Sequence, residues 1–557
     1  MAESTGWVPT RSGAVWAGWH PPESAPSGIA VVLVPPYGWE GMACQRQLRG
    51  WARRLAAAGH AVVRYHPPGE GDSEGLAIEQ DLDAWAGALQ DLIESARAAG
   101  GASRVVAVGL GLGGLVALHA VDRGAQVDDL VVWATPGKGR LLLRELRAFA
   151  SLTIETAAAP SSDEALWVHG YPLGLEAQQQ LTALDASTLD LRRLRRALVL
   201  GRGTLPADAA LVAALSAQGV DADDASGPGY AELTVEPRLA QPPTQVQAQV
   251  QAWLLEVTAT SSPPSAPWPT IESSEQELVV GPARVIARRP VDASLTVLFI
   301  GAGAVPRSGP NRMWTDAARR WADRGVACLR VDLAAIGEGS GPDTWEGGPE
   351  VFYDERYRAQ LEQILDRAEE LGLPTPFVAV GLCSGGYWAV QAGIFDRRVR
   401  AVVLLNSNYL VWPPPLTPLG ARGRFEHLTS AATWKPLLTD AGARRDVAGR
   451  ARRSLSQARG RGGEHALPDP LDVRAPRSND EALGALQARG VRTTLALSPG
   501  EPMLHDMLGL PARSAVRVHE LHGPGGAHTL GPRLLQLQAI DLLDQAIEAV
   551  LSAEAAT

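Results

Sequence analysis

Two stretches of this chain lying 272 residues apart read nearly alike: VAVGLGLGGLVAL, ending at Leu118, and VAVGLCSGGYWAV, ending at Val390. A repeat at about half of 557 residues is too long for a solenoid and means two tandem domains. Further punctuation is shared. IAVVLVPPYG from Ile29 matches LTVLFIGAGA from Leu295, each a short β-rich apolar run ended by Gly or Pro, as in a buried strand. ARRLAAAGHAVVRYHPPGEGDS matches ARRWADRGVACLRVDLAAIGEGS, where Gly59 and Gly325 stop a helix before the next strand. SGPGYAEL from Ser226 matches HGPGGAHTL from His522. Strands alternating with helices predict, in each copy, a mostly parallel sheet flanked by helices on both faces. The helical QVQAQVQAWLLEVTA closes the first copy, and SSPPSAPWP is a semi-rigid linker. The expected layout is a first domain over 1–260, a linker over 261–272 and a second domain over 273–557.

Composition narrows the function. Hydrophobic residues make up 45% and charged residues 20%, which excludes a disordered chain. Lys+Arg number 51 against 61 Asp+Glu, a net charge of -10, which argues against nucleic-acid binding because phosphate neutralisation needs a basic surface. Three cysteines, Cys44, Cys328 and Cys383, are too few for a disulfide framework or a cysteine zinc site. The start is polar and interrupted, the last residues AEAAT carry no lipidation signal, and no apolar run reaches about 18 residues. The expectation is a cytoplasmic protein with no membrane partner, no cofactor and no metal.

The second copy carries a reactive group where the first does not. Gly381-Leu382-Cys383-Ser384-Gly385 follows a strand and precedes a helix. A nucleophile on such a strained turn leaves no room for larger side chains on either side, and the helix N-terminus beneath it favours a thiolate and an adjacent oxyanion. Cys328, inside the strand-like VACLRVD, reads as core, and Cys44 has no evident base.

This G-x-C-x-G turn resembles the nucleophile elbow of the α/β-hydrolase superfamily, in which the middle residue is usually Ser. Together with FIGAGAVPRSGPNRMW, LSPGEP and GAHTL, the second copy resembles a bacterial subgroup that reads Asn-Ala-Gly, Gly-Pro-Asn-Arg and Gly-Leu-Cys-Ser-Gly. Gly301 departs from that pattern by replacing the Asn. The resemblance implies two tandem α/β-hydrolase-fold domains and a chain order of nucleophile, acid, histidine. Glu501, in the turn Pro499-Gly500-Glu501-Pro502 after a strand, holds the acid slot, with Asp506 as the alternative. His528 holds the histidine slot before a long terminal helix. The implied triad is Cys383, His528 and Glu501. Oxyanion donors are expected from Ser384 and from Ala302, Gly303 or Ala304.

In the first copy the nucleophile slot is Gly111, the histidine slot aligns with Glu232, and the acid slot falls near Gly203 or Thr204. That copy reads as non-catalytic. About 80 residues separate Asn406 from the strand at Val491, where this superfamily inserts a cap, here expected over about 409–488. The insertion contains Arg444, Arg445, Arg450, Arg452 and Arg453, which with Arg307 and Arg312 read either as solvated charges or as a landing site for an acidic acyl or peptidyl carrier protein or a phosphate-bearing acyl donor.

Exchange of an acyl group between one thioester and an enzyme thiol is nearly energy-neutral. A cysteine nucleophile therefore points to acyl transfer or thioesterase-type release from a carrier- or coenzyme A-bound acyl group, as in a natural-product pathway. A plain ester or thioester hydrolase and a non-catalytic scaffold are the alternative readings.

Overall fold

A computed structural model describes residues 3–152, 165–407, 409–412, 476–501, 516–523 and 528–554. Residues 413–475 of the expected cap, with Arg444 to Arg453, and the alternative acid Asp506 fall outside them.

The first sheet contains β1 (Ser4–Thr10), β2 (Gly13–His20), β3 (Ile29–Val34), β4 (Ala61–Tyr65), β5 (Arg104–Leu110), β6 (Asp129–Trp133), β9 (Arg196–Leu200) and β10 (Asp221–Ala225). A separate hairpin is made by β7 (Ala165–Val168) and β8 (Tyr171–Gly174). The second sheet contains β11 (Glu275–Val280), β12 (Ala283–Arg288), β13 (Leu295–Ile300), β14 (Val326–Asp332), β15 (Phe377–Leu382), β16 (Val399–Leu405), β17 (Arg492–Leu497) and β18 (Arg517–Glu520). Their orders, β1-β2-β4-β3-β5-β6-β9-β10 and β11-β12-β14-β13-β15-β16-β17-β18, correspond strand for strand. In each the first two neighbour pairs are antiparallel and the remaining pairs parallel.

Burial follows position. The central strands IAVVLV and LTVLFI are buried at every residue, because helices cover both faces. The outer strand EQELVV is buried at Glu275, Leu278 and Val280 and exposed at Gln276 and Val279. Helix Leu82–Gly100 begins where the Asp81 carboxylate accepts from the Ala84 N–H and ends at Gly101 in the left-handed region. Between the sheets, Ser262 N–H donates to the Gly101 carbonyl and Trp268 stacks on Trp19 at 4.8 Å. No helix among the described residues is long and apolar enough to cross a membrane.

The two sheets meet through reciprocal contacts. Arg64, opposite Leu33 in β4, and Arg330, opposite Phe299 in β14, hold matching positions. Arg64 donates to Glu338 of the second unit at 2.7 and 2.8 Å, and Arg330 donates to Asp72 of the first. Each arginine also holds a glutamate of its own unit, Glu3 or Glu275, which is shared with Arg53 or Arg319. All four cross-pair side chains are at most 4% exposed. Reciprocal pairing of this kind is the signature of a two-fold interface. One continuous apolar cluster joins β3 and β5 of the first sheet to β13, β15 and the Arg533–Glu554 helix of the second.

Candidate active site

Cys383 stands between β15 and helix Ser384–Phe395 at φ 54°, ψ -118°. A Cβ on Gly381 would lie 2.1 Å from the Gly385 backbone, and one on Gly385 would lie 2.4 Å from the Ile300 carbonyl oxygen, so the turn closes only with glycine at both places. The Cys383 N–H donates to the Leu405 carbonyl at 2.9 Å. Of the three thiols, Cys44 and Cys328 are buried and Cys383 is half-buried. Burial pushes the Cys44 and Cys328 thiols well above the usual range.

The chain returns to the elbow twice. After β17, Ser498 turns toward Glu501, whose N–H donates to the Ser498 carbonyl. Glu501 is 6% exposed, and its Oε1 lies 3.0 Å from His528 Nδ1. Burial of His528 opposes its charged form, but hydrogen bonding to Cys383 and then to Glu501 outweighs it, and the pKa rises to about 10. A carboxylate on one ring nitrogen and a thiol near the imidazole form the arrangement that activates a nucleophile.

Two amides fix this geometry, and the sequence had given neither of them a role. Asn406, fully buried at the end of β16, accepts from the Ser498 N–H at 2.7 Å and donates to Ser498 Oγ and to the His528 carbonyl. A strand-end position lacking a carboxylate is therefore the brace between the acid and histidine loops. Asn311 donates to the Thr529 and Leu530 carbonyls. The readable signal was the polar side chain closing an otherwise apolar strand, AVVLLN.

Two expectations need correction. Arg307 and Arg312 are not surface anion ligands. Arg307 is 1% exposed and pairs with Asp72 and Glu277, and Arg312 donates to the carbonyls of Gly71, Ser73 and Gly75 of the first unit. A guanidinium buried at a domain contact must be matched there, so it is unavailable to an outside anion. Second, the Gly303 N–H, expected as an oxyanion donor, is taken by Ser384 Oγ at 2.8 Å. The Ser384 N–H, at the first helical position, has no carbonyl one turn back to bond. In the first unit Glu232 is exposed, and Tyr230 faces the elbow at Gly111. A Cβ on Gly111 would lie 2.4 Å from Tyr230 Oη, which donates to Glu40 Oε2 at 2.7 Å. Tyr230 replaces a glycine of the second copy, GPGY against GPGG, so its bulk was readable.

Aromatic rings border the thiol. Tyr353 stacks on Trp412 at 4.0 Å and meets Tyr387 edge-on at 5.2 Å, and burial followed by Cys383 pushes its hydroxyl pKa upward. Among the described residues, no group of three or more His, Cys, Asp or Glu gathers as a metal site.

The strand order, the helix-covered parallel sheet and the strand–turn–helix elbow define two α/β-hydrolase-fold units in one chain. No family model matches the sequence, and no curated protein matches it. Solved structures similar to it include Est1E from Butyrivibrio proteoclasticus with ferulic acid bound (14% identity, TM-score 0.33, 45% of this chain and 98% of that one). A proline iminopeptidase from Mycobacterium smegmatis matches at 15% identity and TM-score 0.30, over 45% and 98% of the two chains. A carboxyl esterase from Bacillus coagulans in complex with glycerol matches at 12% identity and TM-score 0.33, over 46% and 99%.

Proposed function

We propose that the second unit is an acyl-handling enzyme that works through a Cys383 acyl-enzyme, taking its acyl group from a carrier- or coenzyme A-bound thioester. The first unit is its non-catalytic partner, derived from the same ancestral domain by tandem duplication. The observation that carries this reading is the Glu501–His528 contact at 3.0 Å beside a cysteine held at the elbow. Cys383 attacks the acyl carbon with its proton on His528, the Ser384 N–H steadies the oxyanion, and the leaving thiol takes the proton back from His528. Glu501 holds the imidazole tautomer and balances its charge. The thioester so formed passes to an amine, alcohol or thiol in transfer, or to water in release. Hydrolysis of a simple ester by the same residues is the second reading, since only the acceptor differs.

The test is mass spectrometry of the intact chain after exposure to acyl-coenzyme A and acyl p-nitrophenyl esters. A single adduct on Cys383 is expected, absent in Cys383→Ala and retained in Cys44→Ala and Cys328→Ser. An adduct surviving in Cys383→Ala overturns the reading.

A further inference from the structure

The first unit has a hollow beside the elbow that carries Gly111. A cavity of about 610 Å³ opens over Gly111 and Leu112, within the range of small-molecule sites. It shares no residue with Cys383, His528 or Glu501. One wall is apolar and built from Trp39, Leu142, Leu146, Phe149 and Val235. The floor is polar. Tyr230 Oη donates to Glu40 Oε2, and among the described residues Glu40 Oε1 accepts no hydrogen bond, its nearest cation being Arg202 at 3.8 Å.

The charges around this floor are unequal. Glu40, Glu145 and Glu236 line the cavity, and among the described residues Arg202 is its one cation. Arg202 lies closer to Glu145, at 3.2 Å, and stacks over the Tyr230 ring. Arg238, outside the lining, sits 3.8 Å from Glu236. Glu40 is thus a carboxylate, 35% exposed, with one oxygen fixed by a tyrosine and the other 3.8 Å from Arg202. Burial raises its pKa against the opposing hydrogen bond from Tyr230 and the charge of Arg202. An ammonium group supplies a closer partner, and the aromatic rings of Tyr37, Trp39 and Tyr230 favour a cation between them.

We propose that this cavity binds an apolar primary amine, with its ammonium on Glu40 Oε1 and its hydrocarbon body against the Trp39–Leu146–Phe149 wall. Tyr230 Oη takes the space that a side chain at Gly111 would need, so the Tyr230–Glu40 pair forms the floor at this turn. A carboxylate ligand would meet three glutamates, and a neutral alcohol would leave Glu40 uncompensated.

The experiment is calorimetric titration of the full-length chain with 4-phenylbutylamine, 4-phenylbutanol and 4-phenylbutyrate. The amine is expected to bind one site saturably, at least about tenfold tighter than the alcohol, as a charge-assisted hydrogen bond provides. The acid is expected not to bind. Glu40→Gln should lower amine affinity about tenfold and leave the alcohol unchanged. Leu146→Trp, which fills the apolar wall, should weaken both, with melting temperatures recorded to show that each variant is folded. Equal binding of amine and alcohol, unchanged amine binding in folded Glu40→Gln, or the absence of any saturable amine binding overturns the proposal.

Discussion

Gly111 and Cys383 share one backbone conformation, φ 53°, ψ -118° and φ 54°, ψ -118°, at the turns that follow β5 and β15. The turn therefore belongs to the fold, and the chemistry depends on what faces it: Tyr230 over Gly111, and His528 beside Cys383. Gly111→Ser should give no acyl-enzyme and a lower melting temperature. A side chain at this positive φ costs about 1–3 kcal/mol, and its Cβ would strike Tyr230 Oη. The double variant Gly111→Ser/Tyr230→Gly removes the clash and should still form no adduct in mass spectrometry, because the carboxylate left beside it, Glu40 Oε2 at 3.5 Å from a Cβ there, is ordinarily a weaker base than an imidazole. An adduct would reveal a base in the first unit.

A pKa near 10 keeps His528 positive throughout the neutral range. The sign follows from the direction of the shift. A group raised above its unfolded value of about 6.5 stabilises the fold fully below that value and loses the effect as pH rises toward 10. The ring-proton NMR shifts of His528 should then stay at their protonated values, with almost no titration between pH 7 and 9, whereas an ordinary imidazole, with a pKa of about 6.5, has largely finished titrating by that range. Glu501→Gln removes one of the contacts that raise the pKa and should bring the His528 titration down toward that window. A wild-type His528 that titrates near its unfolded value would count against the Cys383–His528 pairing.

The buried cross-pairs should hold the two units together. Arg64→Met leaves Glu338 buried without its bidentate partner and should cost about 3–5 kcal/mol in denaturant unfolding. Arg64→Met/Glu338→Leu should recover most of that loss, since an apolar pair of similar volume replaces both charges. A chain starting at residue 261 would expose Arg330 without Asp72 together with the apolar face shared with β3 and β5, and it should be poorly soluble. A soluble fragment that forms the acyl-enzyme at the full rate would show the first unit to be dispensable.

Gly170, in the β7–β8 turn of the first unit, touches the support of the His528 loop. It sits at φ +84°, its carbonyl accepts from Gln536, and a Cβ there would lie 2.5 Å from Asn311 Cγ. Gly170→Ala should displace Asn311 and, through Thr529 and Leu530, His528. Acylation of Cys383 should slow by about 10- to 100-fold, as small misplacements of a catalytic group do, with a changed NMR titration of His528. An unchanged His528 titration and rate in the folded variant would confine this hairpin to packing.

The parts legible in the sequence are those set by local geometry. Strand–turn–helix around Cys383 was readable because Gly381 and Gly385 admit no other residue, and the helix-covered strands were readable from their unbroken apolar runs. Arg307 and Arg312 were misread because a charged side chain looks the same in sequence whether it faces water or, more than 200 residues away, a carboxylate or a backbone carbonyl. The Gly303 N–H was misassigned because nothing local indicates that the Ser384 hydroxyl reaches back to it.

The sequence by itself determined that the chain holds two like sheets and that one elbow carries a thiol, since both follow from short-range periodicity and from the steric demands of a tight turn. Only the tertiary structure decided that Asn406 ties Ser498 to the His528 loop, that Tyr230 and Glu40 occupy the other elbow, and that Arg64 and Arg330 cross between units to Glu338 and Asp72. Those choices depend on which buried polar atoms remain unpaired after the sheets close. A buried donor left without an acceptor costs about 1–3 kcal/mol, so the folded chain settles its pairings across long stretches of sequence that carry no local trace of them.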